Sequence, residues 1–70
     1  MNVVKHNKIA GYRAMLGLNQ TQVAKCLGIS VQSYNAKENG KRQFKDNEKI
    51  ILLELFQQVE PTLTIDSLFF

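Results

Sequence analysis

Three cations within five residues, Lys41, Arg42 and Lys45, form the densest charge in the chain. Ammonium and guanidinium groups clustered in this way are suited to a polyanion such as a phosphate backbone. They belong to a wider asymmetry. Residues 1–45 carry eight bases (Lys5, Lys8, Arg13, Lys25, Lys37, Lys41, Arg42, Lys45) against one acid, Glu38, for a net of +7. Residues 46–70 carry Lys49 against Asp46, Glu48, Glu54, Glu60 and Asp66, for a net of −4. The overall charge of +3 conceals that split, which points to a nucleic-acid partner for the first half.

Other chemistry is poorly served. One cysteine, Cys26, makes no internal disulfide, and with the single histidine, His6, it falls short of the four ligands of a structural zinc site. Cys26 is expected to be a half-buried helix residue and His6 a surface residue. The sequence offers no nucleophile with a partner base, no acid/base pair and no glycine-rich phosphate loop, so no enzyme, cofactor, metal or small-molecule substrate is expected. The longest apolar run, Ile50–Leu53, is far below the ~20 residues that span a bilayer. No signal peptide is visible. These features predict a soluble cytoplasmic protein without a membrane partner. Seventy residues that are 44% hydrophobic suffice for one small core and a single domain over residues 1–70, burying about 60% of the unfolded surface.

The elements that must position these groups read as helices. Ile9, Tyr12, Met15 and Leu16 recur at helical spacing and predict a first helix over about residues 6–16, ended by Gly17. Asn19 is a good N-cap for a second over about 20–27, in which Val23, Ala24 and Leu27 share a face before Gly28. Ser30 caps a third, from Val31 to about Asn39. Lys41–Lys45 lacks periodicity and reads as a loop anchored by Phe44. Asp46 is expected to cap a fourth helix over about 47–59, with Glu48 facing the positive end of its dipole. This helix is apolar over a wide arc, Ile50 to Phe56 and Val59. Pro61 breaks the chain, and Thr64 caps a last turn over 65–69. With no strand-length alternation, the expected class is all-α, a compact bundle of five short helices.

Two short helices joined by Gly28-Ile29-Ser30 have the spacing of a helix-turn-helix, here about residues 20–39. The stretch Leu18 to Ser30, continuing through Lys37-Glu38-Asn39-Gly40-Lys41, resembles the DNA-binding domain of the phage Cro and lambda-type repressor family. Gln20, Ala24, Gly28, Ser30, Glu38, Gly40 and Lys41 match the family pattern, as does Arg13, and the resemblance covers about residues 8–59. Independent physical reasons support these types. Ala24 lets the second helix cross the third at close range, and Gly28 permits a positive φ. Gln20, at a helix N-terminus, has an amide and a backbone N–H for a phosphate oxygen.

The resemblance implies roles for further residues. Arg13 and Glu38 would form a structural ion pair, which neutralises the only acid of the basic half. Val31, Gln32 and Ala36 would face base edges in the major groove, with Asn35 nearby. A glutamine can bond an adenine bidentately, while valine and alanine methyls suit a thymine methyl. Asn39, Lys41, Arg42 and Lys45 would grip the sugar-phosphate backbone. Tyr34 would take an apolar core position, its hydroxyl able to reach a phosphate. Lys37 departs from a family position that is often large and apolar. Either its stem packs while the ammonium snorkels outward, or it adds a phosphate contact.

Segment 46–70 is expected to be the packing or partner-binding side. Leu68 and one phenylalanine are expected to seal the core. Phe56, Leu68, Phe69 and Phe70 are alternatively candidates for an exposed interface. The function these features imply is a sequence-specific transcriptional regulator of the phage or prophage Cro/repressor type, binding operator DNA as a homodimer. The alternative is an antirepressor or repression modulator that binds a second phage regulator protein.

Overall fold

The computed structural model describes residues 7–70. His6 and Lys5 lie outside the described residues. The elements are α1 (Lys8–Met15), α2 (Gln20–Leu27), α3 (Val31–Glu38), α4 (Asp46–Phe56) and α5 (Ile65–Phe69), with no strand among the described residues.

Short polar side chains set most of the boundaries. The Asn7 carboxamide oxygen accepts from the Ala10 N–H at 3.0 Å, so Asn7 is the cap of α1 and the helix starts at Lys8, later than the expected residue 6. Asn19 and Gln22 form a reciprocal capping box at 2.8 Å in each direction, which satisfies two N–H groups that no helical carbonyl can reach. Gly28 closes α2 at φ 72°, a left-handed conformation that L side chains rarely adopt. Its turn lets the Ile29 N–H bond the Ala24 carbonyl at 3.1 Å. The Ser30 hydroxyl then accepts from the Ser33 N–H at 3.1 Å and starts α3.

The fourth helix differs from its expectation at both ends. Lys45, not Asp46, occupies the cap position, and its backbone N–H donates to Glu48 Oε1 at 2.9 Å. The helix stops at Phe56 and not Val59, and the Gln57 amide donates to the Leu63 carbonyl at 3.0 Å. Pro61, without an N–H and hostile to helical geometry in its predecessor, prevents further continuation.

All five helices contribute to one apolar cluster: Ile9 from α1, Val23, Ala24 and Leu27 from α2, Tyr34 from α3, Leu52 and Phe56 from α4, and Leu68 from α5, with Leu63 between. α2 packs chiefly on α3, and α4 on α5 and α2. The Tyr12 and Phe56 rings stack at 5.6 Å. Phe44 anchors the loop, lying 6.0 Å from Tyr34 and 5.8 Å from Phe69, distances at which aromatic pairs attract beyond simple burial.

This packing corrects the partner-interface expectation for Phe56 and Leu68. Phe56 is fully buried and Leu68 nearly so, because both side chains fill the space that α1, α2 and α3 leave open. Phe69 is half-buried against Phe44, whereas Phe70 is 84% exposed. The Lys49 ammonium lies 5.5 Å and 5.1 Å from those two rings, within cation–π range.

Candidate nucleic-acid interface

Helices α2 and α3 are held at a fixed angle by a buried carboxylate. Arg13 of α1 forks onto Glu38 of α3, Nε to Oε2 at 2.8 Å and Nη2 to Oε1 at 3.2 Å, while Nη1 donates to the Leu18 carbonyl at 3.0 Å. Tyr34 Oη donates to Glu38 Oε2 at 2.7 Å and Gln20 Nε2 to Oε1 at 2.9 Å. A bidentate guanidinium with two further donors is the geometry that a desolvated carboxylate requires.

The protonation equilibria follow from these contacts. Burial opposes ionisation of Glu38, but donation from Arg13, Tyr34 and Gln20 outweighs it and holds the carboxyl below its ordinary range. The hydrogen bond to Glu38 raises the Arg13 guanidinium further. Burial, and then donation to Glu38, push the Tyr34 hydroxyl well above the ordinary tyrosine value. Tyr34 is thus committed inward, and its hydroxyl is not available to a phosphate.

Glu38 also orients a row of amides along the outer side of α3. A carboxylate only accepts, so Gln20 must turn its NH2 toward it and its oxygen away. That oxygen accepts from Asn35 Nδ2 at 3.1 Å, and Asn35 Oδ1 accepts from Asn39 Nδ2 at 3.2 Å. The Gln20 amide, expected at a phosphate, is therefore partly engaged within the protein. One of its two N–H groups is spent on Glu38, because the carboxylate is closer and charged. Asn35 is likewise held, through one N–H and its oxygen.

The remaining sequence-predicted residues divide by exposure. Gln32 and Asn39 are exposed, as are Lys41, Arg42 and Lys45. Val31 and Ala36 are half-buried, and Val31 packs partly against the core. Lys37 is corrected most sharply. Its ammonium neither snorkels nor faces a phosphate site, since the side chain is buried and Nζ lies 2.7 Å and 3.0 Å from the two oxygens of Glu48. Cys26 is exposed and not half-buried, lying outside the buried stripe that Val23, Ala24 and Leu27 form on α2.

Glu48 is the residue whose part was missed. Burial opposes its ionisation, but Lys37 and the Lys45 N–H together hold its carboxyl below the ordinary range. The available signal was Lys37 itself, since a lysine at a core position calls for a buried anion.

A helix-turn-helix family model matches residues 9–63. The chain belongs to the XRE-type, Cro- and lambda-repressor-like helix-turn-helix family. No curated protein and no solved structure matches it. As an XRE-type protein it is a DNA-binding regulator of transcription. No helix among the described residues is long and apolar enough to cross a membrane.

Proposed function

We propose that this XRE-type regulator binds operator DNA as a homodimer in a bacterial cytoplasm, as part of a phage or prophage switch of the Cro/repressor kind. The observation that carries the proposal is the arrangement around α3. Gln32 is exposed near its N-terminus, Lys41, Arg42 and Lys45 are exposed in the loop after it, and Glu38 is neutralised by Arg13. Gln32 reads a base edge, Val31 and Ala36 offer their remaining apolar surface to thymine methyls, and Asn35 contributes its free N–H. Asn39, Lys41, Arg42 and Lys45 hold phosphates, with Gln20 adding its backbone N–H and second amide hydrogen. Two protomers would place their recognition helices in half-sites about 10 bp apart.

A gel-shift or footprinting screen against the DNA flanking the gene tests this. A site bound more tightly than random duplex at moderate salt is expected, and its absence would sink the operator assignment. At that site Gln32→Ala should cost ~1–3 kcal/mol and spare random DNA, whereas Lys41→Ala should weaken all sequences alike and reduce the salt slope by about 1.

The 84% exposure of Phe70 favours a second function, modulation of another phage regulator through the C-terminal segment. Co-purification with such a protein, without DNA binding by the chain alone, would select that alternative.

A further inference from the structure

We propose that Lys37 and Glu48 form a clamp that fixes the basic loop Lys41–Lys45 to the recognition helix, so that phosphate contacts and base contacts are presented in one register. The inference rests on the loop being the phosphate grip.

Both ends of the loop are tied to neighbouring residues of α3. At its start the Lys41 and Arg42 N–H groups donate to the Ala36 carbonyl at 2.9 Å and 3.3 Å. At its end the Lys45 N–H donates to Glu48 Oε1 at 2.9 Å, and the Glu48 carboxylate is gripped by Lys37 Nζ at 2.7 Å and 3.0 Å. Between the two ties Phe44 rests on Tyr34, also of α3, at 6.0 Å. The cationic side chains of Lys41, Arg42 and Lys45 stay exposed while their backbone is held.

Stability alone does not call for a charged pair here. Replacing a buried ion pair by apolar side chains of similar volume is often neutral or stabilising. An apolar pair, however, offers no acceptor to the Lys45 N–H, and Glu48 without Lys37 would be a buried, uncompensated charge. Lys37 therefore keeps a carboxylate where the loop needs an acceptor. Both are positioning residues, and neither touches DNA.

The decisive comparison is between two double variants that differ in that acceptor. Lys37→Met with Glu48→Leu removes it, and Lys37→Met with Glu48→Gln keeps a side-chain oxygen. The probe is a duplex selected by the wild-type protein from a random-sequence pool. The leucine variant should bind it about tenfold more weakly, with the salt slope shallower by about 0.9, the value of one phosphate contact. Its melting temperature should be close to wild type, and its Lys45 amide should exchange faster. The glutamine variant should bind within about threefold of wild type. Equal binding by the two variants, or weakening only in proportion to lost stability, overturns the clamp. If either variant fails to fold, hydrogen exchange in the wild type decides. A Lys45 amide protected like that of Lys41 supports the clamp, and one exchanging at the rate of an unstructured peptide overturns it. A wild-type protein that enriches no duplex overturns the operator proposal and the inference together, whereas one that enriches a duplex both variants bind equally well overturns the inference alone.

Discussion

Lys37 and Glu38 are neighbours of opposite charge in the last turn of α3, and each is buried against a partner on a different helix. The Glu38 pair faces α1 and is open at one edge, with 19% of the Arg13 side chain exposed against 3% for Glu38. The Lys37 pair faces α4 and is closed on both sides, at 5% and 3%. Arg13 presents a planar fork, and Tyr34 and Gln20 add further donors to Glu38. Lys37 is a single point charge, and the third member of its group is a backbone N–H, that of Lys45. One carboxylate thus gathers side chains from α1, α2 and α3, while the other joins a helix to a loop. Helix α3 is held at its C-terminal end from two directions.

The largest expected effect breaks the closed pair. Glu48→Ala would leave the Lys37 ammonium buried and unpaired, at a cost of about 3–5 kcal/mol, a large part of the 5–15 kcal/mol that typically holds a domain folded. Glu38→Ala should cost less, about 2–3 kcal/mol, because Arg13 can turn its guanidinium toward water. Urea denaturation measures both. The reverse order would show that burial of the pair is not what decides its worth.

Replacing whole pairs sharpens the contrast. Lys37→Met with Glu48→Leu should change stability by no more than about 1 kcal/mol, since apolar packing of similar volume offsets the lost ion pair and only the part-buried Lys45 N–H loses its acceptor. Arg13→Met with Glu38→Met should still cost about 1–3 kcal/mol, because the buried Tyr34 hydroxyl loses its acceptor. Equal losses would mean that the Tyr34 and Gln20 hydrogen bonds contribute nothing beyond the ion pair.

The same contrast explains what could be read without coordinates. α2 and α5 were legible to the residue and α3 at its start, because Asn19, Ser30, Thr64 and Gly28 act over a few positions of chain and leave a local signature. The Arg13–Glu38 contact was expected from a family pattern that holds those residue types together. Lys37–Glu48 was not. Its partners are joined by packing across the loop, and the Glu48 half of the capping box follows a lysine, which has no acceptor and so hides the signal at Lys45. Phe56, Leu68, Phe69 and Phe70 were similarly ambiguous, because an apolar residue at a helix end fits a core and an interface equally well in one dimension. The end of α4 failed for a related reason: Val59 keeps the helical spacing, but the Gln57 side chain is drawn to Leu63.

The smallest effect is a pH dependence that vanishes at neutrality. The Glu38 and Glu48 carboxyls both lie below their ordinary value of 4.5 in the folded protein. The folded state therefore binds fewer protons than the unfolded state in the acid range, and stability rises with pH there. The contribution is complete above about pH 5 and is lost as pH falls through the folded-state values. Tyr34 acts at the opposite limit, since its value is raised: its contribution is complete below the ordinary value of 10.0 and is lost as pH rises beyond it. Urea midpoints followed into acid should fall for the wild type and fall less steeply for Lys37→Met with Glu48→Leu, which retains only the Glu38 carboxylate of the two. An identical acid slope in both proteins would assign the whole dependence to Glu38 and make the Glu48 pair electrostatically silent.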